Sequence, residues 1–205
     1  GKSNGTDYLH TITRSFIDGR ELITSAKGEK LSDQQRSKLQ NYAAVIASNW
    51  QKVLAEATFK YAGSVYKDMT KLQTIAEAKG DNTKALKKYI KHWGELKGFA
   101  LSLHTSGQNL GEVGVKMDRL IGHGPVVGSV SPASLNMMPK QVDGVDGNGN
   151  FTMKDRTIDS YMVHMLKVQK LMEDEFGVTA KNNDKLSGIA DIAKVLGSSD
   201  SAEND

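Results

Sequence analysis

Apolar residues recur at helical spacing from the start of the chain. Leu9, Ile12, Phe16 and Ile23 are separated by three, four and seven positions, the spacing that puts side chains on one helical face. This pattern predicts a helix over residues 7–27 with an apolar stripe facing the core.

A capping signature opens a second, longer helix. Ser32 and Gln35 form a Ser-x-x-Gln capping box just before an apolar stripe. The stripe predicts a helix over residues 33–69, and residues 70–79 either continue it or follow a break. Its members are Leu39, Tyr42, Ile46, Trp50, Val53, Leu54, Ala57 and Tyr61.

Further helical patterns predict an all-α fold, an up-and-down helical bundle. The remaining predicted helices cover residues 83–104, 110–121, 154–176 and 184–196, and Gly177 ends the third of these. No convincing alternating strand pattern is present. We therefore expect one bundle domain over residues 1–197, with a disordered tail at 198–205.

A long insertion rich in Gly, Pro, Ser and Asn interrupts the helical pattern at residues 122–153. All three prolines of the chain lie in it. A stretch of this length without periodicity inside a compact domain is typical of a functional or mobile loop.

Composition narrows the classes of function. The chain has 205 residues, 27 Lys and Arg against 24 Asp and Glu, and no basic run, so we expect no nucleic-acid partner. The absence of cysteine excludes thiolate metal sites, disulfides and cysteine nucleophiles. No segment approaches the ~20 apolar residues of a transmembrane helix, and the first residues lack a signal-like hydrophobic region.

Ionisable residues on apolar stripes are the most informative anomaly. His92 lies within about 40° of Leu96 on a helical projection, and Glu95 is about 60° to one side. The pair either supplies two ligands to a metal or forms a buried hydrogen-bonded tie between helices. Arg20 also falls on an apolar stripe and needs a carboxylate, for which Glu95 is the predicted partner. We therefore predict a buried polar cluster of Arg20, His92 and Glu95.

A second candidate site is a sequence with oxygen-bearing side chains at alternating positions. The potential ligands are Asp146, Asn148, Asn150, Thr152 and Asp155. Their spacing resembles the opening of a helix–loop–helix calcium loop, although Phe151 takes the position of its Gly and Thr157 that of its final Glu. The alternative is a plain Gly/Asn turn that leads into an Asp-capped helix.

Three segments resemble an imelysin-like family of bacterial envelope proteins of unknown function. They are Ser15-Phe-Ile-Asp-Gly-Arg-Glu-Leu-Ile23, Ala47-Ser-Asn-Trp-Gln-Lys-Val-Leu-Ala-Glu-Ala57 and Lys91-His-Trp-Gly-Glu-Leu-Lys-Gly-Phe-Ala100. The resemblance is to the second half of that family and covers roughly residues 10 to 105. His92 and Glu95 match the His-x-x-Glu part of the family's Gly-x-His-x-x-Glu motif. The motif's Gly-x is absent, because Lys91 with no such Gly precedes His92.

The resemblance implies a helical bundle in the periplasm or at the outer membrane, often as a lipoprotein, with a link to iron. The expected function is non-enzymatic binding of a ligand, a metal or a partner protein of the cell envelope, with calcium or iron as the possible cofactor. The alternatives are a metal-dependent hydrolase that uses His92 and Glu95, and a structural or assembly subunit in which the loop wraps a neighbour.

Overall fold

The computed structural model describes residues 7–106, 109–127 and 140–179. Within them the protein is predominantly helical, with five helices and one small sheet, which confirms the all-α bundle class. The sequence predicts one bundle domain, whereas the backbone groups into two compact units, Gly1–Leu54 and Ala55–Asp205. None of the described helices is both long and apolar enough to cross a membrane.

The first unit contains helix α1 (Tyr8–Ser25) and the beginning of helix α2 (Asp33–Glu77). The predicted capping box is confirmed: Gln35 N–H donates to Ser32 Oγ at 3.2 Å, and Ser32 N–H donates to Gln35 Oε1 at 2.9 Å. These reciprocal bonds satisfy backbone donors that a helix start leaves free, so α2 begins where the sequence predicts. It then continues without a break through residues 70–77.

Small residues, not the large apolar ones, form the closest packing of α1. Ser15 and Gly19 are its buried residues, and a Cβ on Gly19 would lie 3.4 Å from Leu39 of α2. Phe16 and Ile23 are exposed, so the expectation that this stripe faces the core is wrong. The periodicity identifies an amphipathic helix, but it does not identify which face a neighbour covers.

The second unit contains the rest of α2 and three more helices, α3 (Thr83–His104), α4 (Glu112–Ile121) and α5 (Ile158–Phe176). The bounds of α3 match the predicted ones, and Gly177 ends α5 with a φ of +62°, as expected for a C-terminal glycine. The core consists of fully buried side chains from all four helices: Leu72, Tyr89, Leu96, Leu103, Met117, Ile121, Tyr161, Met165 and Met172. The predicted helix 184–196 and the tail lie outside the described residues.

The predicted loop over residues 122–153 contains strands, which corrects the sequence interpretation. Strands β1 (Val126–Val127), β2 (Lys140–Val145) and β3 (Phe151–Asp155) form an antiparallel sheet in the order β1-β2-β3. The strands are short, and an irregularity between Val142 and Gly144 breaks the alternation of side chains. Pairing with a neighbouring strand, not local periodicity, defines this segment.

Buried polar side chains hold the sheet against the helices. Tyr89 of α3 donates its hydroxyl proton to Val126 O at 3.1 Å and accepts from Val126 N–H at 3.0 Å. Gln141 of β2 donates to Ile121 O at 3.1 Å and to Gly124 O at 2.9 Å. Burial raises the pKa of the Tyr89 hydroxyl well above its usual value. These bonds satisfy backbone groups of β1, of the end of α4 and of the segment that joins them.

Candidate functional site

His92 of α3 forms the shortest polar contact of the candidate site, with a carboxylate of α2. Its Nδ1 atom lies 2.5 Å from Oδ2 of Asp68, whose side chain is only 6% exposed. The other oxygen of Asp68 lies 3.4 Å from Nζ of Lys88. A buried carboxylate is retained when donors satisfy its oxygens, and His92 and Lys88 do so here.

Aromatic rings fix the other side of His92. The Tyr61 ring lies 5.9 Å from the His92 ring at an angle of 53°, and it stacks on Phe99 at 5.5 Å. Nζ of Lys60 lies 5.6 Å from the centre of the Tyr61 ring. The imidazole is therefore positioned by a carboxylate and by an aromatic contact, which restricts its rotation.

Asp68 is the member of this site that the sequence interpretation missed. Asp68 is part of no recognisable motif. It lies seven residues after Tyr61 in the chain and about 20° from it on the helical projection. Asp68 therefore sits on the apolar stripe of α2, as His92 does on that of α3. The criterion that singled out His92, an ionisable residue on an apolar stripe, would have found Asp68 as well.

Glu95 does not share the contacts of His92. Its Oε1 atom lies 3.6 Å from Nζ of Lys91 on the same helix, whereas its Oε2 atom is buried and has no hydrogen-bond donor in the described part of the chain. The side chain as a whole is about one-third exposed. His92 and Glu95 are therefore one helical turn apart and have different partners.

Arg20 is placed differently from the predicted cluster. It lies on α1 in the first unit and is exposed, so its predicted burial is wrong. The physical reason is the orientation of α1, whose apolar stripe around Phe16 is itself exposed. A guanidinium on an exposed stripe is solvated and needs no internal carboxylate.

A second histidine–aspartate–lysine group repeats the chemistry of Asp68 in a more exposed place. His104 Nδ1 lies 2.9 Å from Oδ2 of Asp118, and Lys97 Nζ lies 3.5 Å from its Oδ1. Asp118 is 33% exposed. This group joins α3 to α4, and the contrast with Asp68 isolates the effect of burial.

The predicted calcium ligands lie on a β-hairpin, not on a helix–loop–helix. Asp146 in the β2–β3 turn accepts hydrogen bonds from the N–H groups of Asn148 at 2.8 Å and Asn150 at 2.9 Å, and from the Asn150 side chain at 3.2 Å. These bonds lower the pKa of Asp146. Thr152 and Asp155 are three residues apart on β3, so their side chains point to opposite faces. The segment therefore differs from the helix–loop–helix of the resemblance, and calcium binding by these five residues stays a prediction.

No metal cluster is evident in the described parts of the chain. Within residues 7–106, 109–127 and 140–179, no three histidine or carboxylate side chains gather closely enough to hold a metal ion. His92 and Glu95 alone supply fewer ligands than the three protein ligands of a typical catalytic zinc site.

Comparisons with known proteins add no relative. Models of known protein families, curated proteins and solved structures returned no match to this chain. The imelysin-like resemblance therefore stays a prediction from the residues that carry it.

Proposed function

We propose that this chain is a non-enzymatic, imelysin-like protein of the bacterial cell envelope that binds an amphipathic helix of a partner protein through α1. One observation carries the proposal: Leu9, Phe16 and Ile23 of α1 are 78%, 63% and 53% exposed. Exposed apolar side chains that share one helical face are typical of surfaces that bind another protein. The envelope location rests on the sequence resemblance.

The spacing of these side chains favours a helix as the partner. Leu9, Phe16 and Ile23 are seven residues apart, so they lie within about 40° of one another on the helix surface. Apolar residues at this repeat form the seam between helices in a coiled coil. Gly19 lies between Phe16 and Ile23 in the sequence and packs toward Leu39 of α2. A partner helix on the exposed stripe would therefore add a third helix beside α1 and α2.

The charge on this surface predicts the chemistry of the partner helix. Arg20 is exposed and lies about 40° from Phe16, so it borders the apolar stripe. Docking an apolar helix would partly desolvate the guanidinium, which is unfavourable without an anion. We therefore expect the partner helix to carry an Asp or Glu opposite Arg20.

The polar groups in the second unit connect its helices. Nδ1 of His92 is engaged by Asp68, whose other oxygen is engaged by Lys88. In the same way His104 and Lys97 share Asp118. These groups tie helices together, which is the structural use of paired buried charges.

Site-specific photo-crosslinking in the bacterium that makes the protein tests the proposal. A photoreactive residue at Thr13 lies about 60° from Phe16 and faces the stripe, whereas one at Glu21 lies about 140° away and is the matched control. We expect a discrete product from position 13 but not from 21, and the crosslinked peptide must be an amphipathic helix with an acidic residue. Arg20→Glu should abolish the product, and a Lys in place of the partner's acidic residue should restore it.

Three results would contradict the proposal. These are no product from position 13, equal products from both positions, and a crosslinked peptide that is not an amphipathic helix. A product that joins two copies of this chain would replace the proposal with the assembly-subunit alternative.

A metal-dependent hydrolase is the second candidate, and the contact between Asp68 and His92 favours it. Metal-binding histidines commonly hold a carboxylate with their other ring nitrogen, as Nδ1 of His92 does. Elemental analysis of the purified chain tests it, together with melting curves in chelator, calcium and iron. Stoichiometric metal that is lost in both His92→Ala and Glu95→Gln would support this function, and a metal-free chain with a chelator-insensitive Tm would exclude it.

A further inference from the structure

Arg156 is a buried arginine between β3 and α5. Only 9% of its surface is exposed, and it stands just before Thr157, the N-cap of α5. Its Nη1 group donates to Nε2 of His164 at 3.1 Å. A buried guanidinium normally pairs with a carboxylate, so an imidazole as its partner is unusual.

His164 cannot neutralise the charge of Arg156. Nδ1 of His164 lies 3.1 Å from Leu120 O, which accepts its proton, so Nε2 is the ring nitrogen that accepts from Arg156. Burial first, and the charge of Arg156 second, lower the pKa of His164 from 6.5 to about 4. The imidazole is therefore neutral at pH 7, and the guanidinium keeps its full charge.

One edge of the guanidinium lacks an acceptor. The Nε–H of Arg156 is buried and has no hydrogen-bond partner among the residues that the structure describes. Because the guanidinium is planar, the Nε–H and one Nη2–H are parallel and form a fork that matches the two oxygens of a carboxylate. A buried donor without an acceptor is unfavourable, and more so when it is charged.

The neighbouring charges add to the positive potential. The charges of Lys167 and Lys154 also lower the pKa of His164, so the potential at this imidazole is positive. The two carboxylates closest in sequence to Arg156 are engaged elsewhere. Asp155 lies 4.0 Å from Nζ of Lys140, and Asp159 accepts from Gln73 at 2.8 Å.

We infer that the Nε/Nη2 edge of Arg156 is a binding site for a carboxylate group. A carboxylate offers one oxygen to the unpartnered Nε–H and a second oxygen to the adjacent Nη2, and its single charge balances that of the guanidinium. A phosphate dianion needs further donors, and Nζ of Lys154 is already 3.1 Å from Asp143. This site lies in the second unit and is independent of the proposed helix-binding surface on α1.

The carboxylate has two possible sources with the same chemistry. It belongs either to a free small carboxylic acid or to an acidic side chain of the protein itself. The second source is represented by the acidic residues that follow the described part of the chain: Asp184, Asp191, Asp200, Glu203 and Asp205.

An NMR titration of the full-length chain tests the inference. The ring signals of His164, identified by their loss in His164→Gln, are followed while acetate or succinate is added at constant ionic strength. Inorganic phosphate is added in a parallel series. A bound carboxylate offsets the charge of Arg156, so we expect saturable shifts and a pKa of His164 that rises above about 4.

Variants separate the fork from the charge. Arg156→Gln should abolish the shifts, and Arg156→Lys, which keeps the charge without the fork, should weaken binding about tenfold or more. Arg119→Gln, at an exposed arginine of α4, is the matched control and should leave the titration unchanged. If Arg156→Gln fails to fold, Arg156→Lys and the wild-type titration still decide the question.

The source of the carboxylate is decided by a tail variant, in which amides replace all five acidic residues that follow residue 179. Shifts in the wild type indicate a free carboxylic acid, and shifts only in the tail variant indicate that the chain itself occupies the fork. No saturable shift in either protein overturns the inference. Equal binding of phosphate, or equal weakening by Arg119→Gln, also overturns it, because either result indicates unspecific charge attraction.

Discussion

Replacement of Asp68 by alanine should destabilise the protein far more than the same change at Asp118. Both carboxylates lie between a histidine and a lysine, so the chemistry that is removed is closely matched. They differ in burial, because 6% of the Asp68 side chain is exposed against 33% for Asp118. The comparison therefore measures what burial adds to one kind of ion pair.

The magnitude follows from the partners that each change leaves behind. Asp68→Ala strands the ring N–H of His92, whose hydrogen bond to a carboxylate is worth about 1.5–3 kcal/mol. Lys88 is 60% exposed and turns to water, so it adds little. We expect a loss of about 2–3 kcal/mol for Asp68→Ala. Asp118→Ala should cost about 1 kcal/mol, the upper end of the range for exposed ion pairs, because Asp118 is 33% exposed and Lys97 only 17%.

Fluorescence follows the unfolding of both variants in two assays. Urea unfolding measures the free energy of unfolding, and melting curves measure Tm. The chain has two tryptophans, and a Trp50→Phe background leaves Trp93 of the second unit as the reporter. In melting curves we expect a drop in Tm of about 5–10 °C for Asp68→Ala and about 3 °C or less for Asp118→Ala. Equal losses for the two variants, or a larger loss for Asp118→Ala, would refute the reasoning.

Three further changes have defined outcomes. Gly122→Ala should cost more than about 2 kcal/mol, because φ is +79° and the added Cβ would clash with Gln141 Nε2. Gly111→Ala, at a φ of +52° and a ψ of −130° in open space, should cost about 1–3 kcal/mol from backbone strain alone and less than Gly122→Ala, and urea unfolding compares the two. The pKa of His164 is 6.5 in the unfolded chain and about 4 in the folded one. As the pH falls through this window the unfolded chain takes up the proton first, so up to about 3 kcal/mol of the free energy of unfolding should be lost. Unfolding at several pH values should show that His164→Gln removes that dependence. Arg20→Ala should change the free energy of unfolding by less than about 0.5 kcal/mol, and a drop in Tm above 3 °C would show that the residue is not merely solvated.

Local sequence signals predicted the helices well. The bounds of α3 match the apolar periodicity, and the start of α2 matches the capping box of Ser32 and Gln35. The end of α5 matches the position of Gly177, which has the positive φ expected there. These features depend on residues within about four positions of one another, so a single sequence contains the necessary information.

Contacts between distant residues account for what was missed. The partner of His92 is Asp68, 24 residues earlier on another helix, and the acceptors of Gln141 are backbone carbonyls near Ile121. The strands over residues 122–153 also depend on pairing with a neighbouring strand. Such pairings are defined by packing, and no local pattern specifies them.

The sequence alone determined that this protein is helical, where most of its helices begin and end, and which histidine lies on an apolar stripe. Only the tertiary structure decided that the stripe of α1 is exposed, that Asp68 receives His92, and that Arg156 is buried beside a neutral imidazole. The reason is that periodicity describes one helix, whereas burial and pairing depend on what lies against it.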